Sequence, residues 1–146
     1  MSLDDMLAAD HVSLGLESVS QAQAITDAGN HMVSLGLVNP QYVDTMHKRE
    51  SSIGTFMGNG VAMPHGTLEG KDSVLQTGIV VRQYPDGTPW GDDTVYLVIG
   101  LAANSDDHVA LLSQLAEVLM DEDICEQLWK TTSVDEVLTT LTPTDE

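Results

Sequence analysis

Nine consecutive residues, Val95 to Ala103, carry no charged side chain and show no polar alternation. A stretch of this kind reads as a strand buried on both faces. It falls far short of the roughly 20 residues that a membrane-spanning helix needs. A strand apolar on both sides must be covered on both sides, and the rest of the chain supplies the cover. Leu75 to Gln83, with Ile79-Val80-Val81 at its centre, reads as a second such strand, and Val12, Leu14 and Leu16 alternate as in a short third one. Helical patterns lie between and after them. The expected fold is therefore an α/β three-layer sandwich: a mixed, mostly parallel sheet of about five strands, flanked by helices on both faces.

The helices announce their ends. Ser20 with Gln23 forms a capping box ahead of Ala24, Ile25, Ala28, Met32, Val33 and Leu35, and Gly36 closes that helix. Asn39-Pro40 opens a second helix, with Tyr42, Val43 and Met46 inward, Arg49 and Glu50 at its end, and a loop over Ser51 to Gly54. Glycines punctuate Thr55 to Gly66, which reads as short strands and turns. Tyr84-Pro85-Asp86-Gly87 reads as a turn. Asn104 to Asp107 should cap a helix whose inner face is Val109, Leu112, Leu115, Ala116 and Leu119. A short helix follows over Ile124 to Trp129, and the box Ser133 to Glu136 opens a last one. The 146 residues fit a single domain over 1–146, with Met1 to Leu3 a possible cloning remnant and the tail from Thr142 frayed.

Charge narrows the function classes. Five Lys and Arg face 23 Asp and Glu, a net −18. Nucleic-acid backbones and anionic membranes would both be repelled. A basic protein partner, or solubility alone, remains. One cysteine, Cys125, permits no intrachain disulfide and suits a reducing compartment. Asp4 and Asp5 stand where a secretory signal would carry basic residues, so a cytoplasmic protein is expected.

Of five histidines, His11, His31 and His47 read as solvated surface residues. His65 differs. Val61-Ala62-Met63-Pro64-His65-Gly66-Thr67 is a short apolar strand stopped by a proline, which fixes the backbone just before the ring. Strand ends in open α/β sheets are where ligands bind, so the imidazole is expected at the surface there. His108 begins a helix directly after the most buried strand. Its plain alternative is an exposed first-turn residue. Arg49 precedes the glycine-rich segment that leads to His65; the alternative is an ion pair with Glu50. A neutral imidazole can attack phosphorus, while a second imidazole and a guanidinium hold the oxygens. No Walker loop, HExxH or paired-cysteine motif is present, so neither nucleotide nor metal is expected as a cofactor. A metal-binding module using His65 and His108 is the reading from a different class.

The ordered set Arg49-Glu50, Gly58 to Thr67, Leu75 to Gly78, Gln83 to Gly87, Val98 to Asn104, His108 and Thr131 to Leu138 resembles the type-2 IIA domains of the bacterial sugar phosphotransferase system, the mannitol and fructose family. Thr67 and the Gln83-to-Gly87 segment look more like the mannitol branch than the nitrogen-regulatory one. The resemblance implies a phosphotransferase. His65 would accept a phosphoryl group from the phosphocarrier HPr, as a tele (Nε2) phosphohistidine, and donate it to the IIB domain of a membrane sugar permease. Arg49 and His108 would flank the group, and Met63 and Met46 are expected at the centre of the HPr contact. A regulatory IIA-like protein that signals to protein targets is the runner-up. The sugar, and whether the domain is free-standing or excised, stay open.

Overall fold

A computed structural model of the chain describes residues 9–52, 56–65, 73–102, 113 and 115–141. Five strands form one mixed sheet in the order β1-β4-β5-β3-β2: β1 (Val12–Ser13), β2 (Phe56–Gly58), β3 (Val61–Ala62), β4 (Gly78–Trp90) and β5 (Asp93–Ala102). The long antiparallel pair β4–β5 is its spine, in register from Gly78 opposite Ala102 to Trp90 opposite Asp93. β1 runs parallel to β4 on one side. On the other, β3 runs parallel to β5, and β2 folds back antiparallel along β3.

The sheet divides two cores, and side chains alternate between them as strand geometry requires. Ile79, Val81, Leu97, Ile99 and Leu101 join Leu115, Leu119, Cys125 and Leu128 on one face. Val80, Val98 and Ala102 join Ala24, Ile25, Ala28, Met32, Tyr42 and Met46 on the other. This second face lies under α1 (Gln21–Ser34) and α2 (Gln41–Ser52); the first lies under α3 (Glu122–Lys130), α4 (Val134–Leu141) and a helical stretch over 115–119. The three-layer sandwich expected from the two apolar strands is the observed one. A helix of 14 residues such as α1 is marginal alone. Burying Ile25 and Met32 stabilises it by about 1.5–3 kcal/mol per side chain. Gly100 permits that contact. A Cβ there would lie 2.8 Å from Val80 Cγ2 and 3.3 Å from both Ala28 Cβ and Met32 Cε.

Local chemistry explains the helix ends. Ser20 Oγ accepts from Gln23 N at 3.1 Å, and Ser133 Oγ from Glu136 N at 3.2 Å, the N-cap half of each expected capping box, while the Gln23 side chain donates to Asp27 and that of Glu136 accepts from Gln127. Asp121 caps α3 through the amides of Asp123 and Ile124. Two expectations need correction. Ser51 and Ser52 belong to α2, not to a loop. Tyr84 to Gly87 does not reverse the chain. These residues form a bulge inside β4, because the register passes from Gln83–Leu97 to Thr88–Val95. Pro85 has no N–H for the ladder, so it and Asp86 face solvent while Thr88 and Trp90 resume pairing. The reversal comes at Gly91-Asp92. The expected helix start at Asn104 to Asp107, with His108, Val109 and Leu112, lies outside the described residues, as do 1–8 and 142–146.

Candidate active site

The strand that carries His65 is aimed by the turn before it. Asn59 and Gly60 both adopt positive φ, 53° and 72°, the two-residue loop that joins twisted hairpin strands. Gly60 is required twice over, since a Cβ there would stand 2.6 Å from the Trp129 ring. Its carbonyl accepts from the amides of Tyr96 and Leu97, which sets β3 beside β5. The register then runs Val61–Leu97, Ala62–Val98 and, beyond the last regular strand residue, His65–Leu101. Leu101 N donates to Pro64 O at 3.0 Å. The histidine thus sits where the two parallel strands end together.

Its ring does not stand out in solvent. His65 is 5% exposed, and Nδ1 lies 2.8 Å from the carbonyl oxygen of Met63. That bond turns the ring back onto its own strand, which corrects the exposed imidazole expected from the sequence. A carbonyl oxygen can only accept, so Nδ1 carries the proton. The neutral ring then has its lone pair on Nε2. The arrangement thus selects one tautomer of the neutral ring.

The first turn of helix α2 reaches the same strand end. Tyr42, 2% exposed, donates its phenol to Leu101 O at 2.8 Å. Met46 packs in the core with Ala62 and Ala102. Arg49, half-buried in the last turn, lies seven residues beyond Tyr42 and so on the same helical face. The helix ends at Ser52, and the chain re-enters the sheet at Phe56, opposite Ala62. Glu50 points to the neighbouring layers, where its Oε2 accepts from Trp90 Nε1 at 3.1 Å and Gln21 Nε2 at 3.3 Å. His108 lies outside the described residues. Periodicity places Tyr42 only inward; the signal for more is that a buried phenol needs an acceptor.

Met63 and Met46 are 1% and 0% exposed, so neither can lie at the centre of a protein contact. The large apolar residues that do face solvent, among those described, are Met57, Leu75 and Met120. Leu75 is three residues ahead of Gly78, which pairs with Ala102 at the His65 end of the sheet.

His11, His31 and His47 are half-buried, and each ring is hydrogen-bonded instead of standing free in solvent. His11 Nδ1 meets Ile79 O at 2.8 Å, and His47 Nε2 meets Thr26 Oγ1 at 2.8 Å. His31 lies between Arg82 Nη1 (3.2 Å from Nδ1) and Asp10 O (2.9 Å from Nε2). Arginine only donates and a carbonyl only accepts, so both contacts require the neutral ring. Burial, with Arg82 and His11 nearby, lowers its pKa against the opposing pull of Asp10. Burial and the carboxylates of Asp121 and Glu122 push the Cys125 thiol up to about 11, which leaves it un-ionised and unreactive. Among the described residues, no three His, Cys, Asp or Glu side chains gather as metal ligands.

The β3–β5 strand end of this three-layer sandwich thus presents one histidine whose Nδ1 is tied to its own backbone. The model of the EIIA 2 family of the phosphoenolpyruvate-dependent sugar phosphotransferase system matches residues 5–143, and the chain belongs to that family. It is 44% identical over 138 residues to the mannitol-specific EIICBA component of Klebsiella pneumoniae, covering 92% of this chain and 22% of that protein. It is 42% identical over 132 residues to a multiphosphoryl transfer protein of Escherichia coli O157:H7, covering 90% of this chain and 35% of that protein. The chain thus spans about a fifth to a third of these relatives. The crystal structure of IIA mannitol from Escherichia coli superposes with a TM-score of 0.87 at 43% identity, over 93% of this chain and 99% of that one. A complex of that enzyme IIA with phosphorylated mannitol enzyme IIB matches equally, at 0.87.

Proposed function

We propose that the chain is a single cytoplasmic IIA phosphocarrier domain of the mannitol type, with His65 as phosphoryl acceptor. The carrying observation is the 2.8 Å bond from Nδ1 to Met63 O, which puts the lone pair on Nε2 at a strand end. In the reaction, Nε2 attacks phosphorus in line with the P–N bond of a donor phosphohistidine on HPr. The new P–N bond forms as the old one breaks, and the donor imidazole leaves with its electron pair. The His65 ring gains positive charge, which the Met63 carbonyl stabilises through Nδ1–H. The same steps in reverse sense deliver the group to a IIB domain. Donor and acceptor are alike, so positioning supplies most of the catalysis and neither metal nor nucleotide is needed. Arg49 and His108 are assigned to the phosphoryl oxygens, and exposed Leu75 replaces the buried methionines as an apolar contact for the partner. Identity of 43–44% to mannitol-specific relatives supports transport over regulation.

The test is incubation with phosphoenolpyruvate, enzyme I and HPr, then mapping of the label and addition of a mannitol IIB domain. An acid-labile, base-stable phosphoramidate on His65 is expected, discharged by IIB. His65→Ala should carry no label; undiminished labelling of that variant sinks the assignment. Arg49→Ala and His108→Ala should each slow single-turnover transfer by roughly tenfold or more, as loss of a preorganised donor does. Slowing of less than about threefold, under 1 kcal/mol of barrier, would remove them from the site.

A further inference from the structure

We propose that Tyr42 is a positioning residue for phosphoryl transfer, setting helix α2, and with it Arg49, over the strand end that holds His65; this rests on the acceptor reading above. The phenol is 2% exposed and reaches across 59 residues of sequence to one backbone oxygen, that of Leu101. Leu101 is the residue that pairs with His65, and its amide is bonded to Pro64, the residue before it. A shift of Leu101 is therefore a shift of the acceptor strand. On the helix side, Tyr42 stands in the first turn of α2 and Arg49 in the last, on one face. The far end of α2 has its own anchor in the Glu50–Trp90 bond. One bond to β5 near its start and one to β4 near its end oppose sliding or rolling of the helix against the sheet. A side chain of α2 then keeps a fixed distance from the phosphorus, which in-line transfer demands: small displacements in the reacting geometry cost large factors in rate.

A buried tyrosine could serve packing alone, and the two roles differ in measurable ways. Tyr42→Phe keeps the ring and removes only the hydroxyl. Single-turnover transfer from phosphorylated HPr is measured over donor concentration for the parent, Tyr42→Phe, Arg49→Ala and the double variant, with His65→Ala alongside. The expected result is a transfer step slowed about fivefold by Tyr42→Phe, with apparent donor affinity changed less than about twofold. In the Arg49→Ala background the same change should add almost nothing, because a strut for an absent guanidinium has nothing left to place. Equal slowing in both backgrounds, or none in either, overturns the inference while leaving the acceptor intact. Label retained by His65→Ala overturns both together. If Tyr42→Phe does not fold, Tyr42→Met takes its place in the cycle, its flexible side chain filling the gap without a donor.

Discussion

Gln83 offers a sharp separation of stability from activity. It is 1% exposed in the middle of β4, and its amide serves three backbone groups. Nε2 donates to Leu128 O at 2.8 Å and Thr131 O at 2.9 Å, while Oε1 accepts from Gly15 N at 2.9 Å. Leu128 is in the last turn of α3, where carbonyls lack helical partners. One side chain thus closes a helix end and ties it to β4 and to the segment after β1. Gln83→Met keeps the length and most of the volume, so cavity and overpacking costs stay small. Three hydrogen bonds at about 1 kcal/mol each set a loss of about 3 kcal/mol. For a chain of this size that lowers the melting temperature by roughly 10 °C. Gln83 pairs with Leu97, four residues before Leu101, so it lies about 13 Å along the sheet from the His65 row. Phosphoryl acceptance at 25 °C should stay within about twofold of the parent, given the folded state persists. Urea and thermal unfolding, read beside single-turnover labelling, decide the matter. A loss under about 1 kcal/mol, or impaired transfer at an unchanged melting temperature, would refute the reasoning.

Two further predictions concern packing and pH. Gly100→Ala should destabilise by about 1–3 kcal/mol in urea unfolding, because its methyl would meet Val80 Cγ2 at 2.8 Å in a filled core; an unchanged midpoint would show that α1 lifts without cost. His31 is held neutral and its pKa lies below the ordinary 6.5, so the unfolded chain takes up a proton there that the folded chain refuses. Its contribution is present in full above 6.5 and is lost as pH falls below it. His31→Gln should flatten the stability profile just below pH 6.5, and an equal slope there in parent and variant would exclude this group.

Where a signal is local, the sequence carries it. Ser20 with Gln23, and Ser133 with Glu136, name their helix starts because a capping bond spans only three residues. Val95 to Ala103 reads as a buried strand from its short, unbroken apolar run, and β5 follows that run as far as Ala102. Pairing is another matter: nothing in Val61-Ala62 says that its neighbour is Leu97-Val98. Tyr84 to Gly87 misleads because a proline and a glycine suit a bulge as well as a reversal, and only the partner strand distinguishes them. At the site, the Pro-His-Gly setting picks out His65 but not the direction of its ring. Burial by distant segments is not written in a local motif. For the same reason His11, His31 and His47 read as solvated, although Ile79 O, Arg82 with Asp10 O, and Thr26 each hold one.

The partner that fixes the His65 tautomer is a main-chain oxygen, and this bears on how the domain tolerates mutation. A carboxylate in that place could be deleted by one codon change, and its own ionisation would make the ring's basicity vary with pH. A peptide carbonyl is the same under every residue at position 63 and at every pH. Drift at Met63 can alter packing and cost stability, yet the carbonyl that holds the proton on Nδ1 is kept whatever side chain stands there. The side chain at position 63 is thereby at liberty to diverge without changing which ring nitrogen of His65 carries the proton.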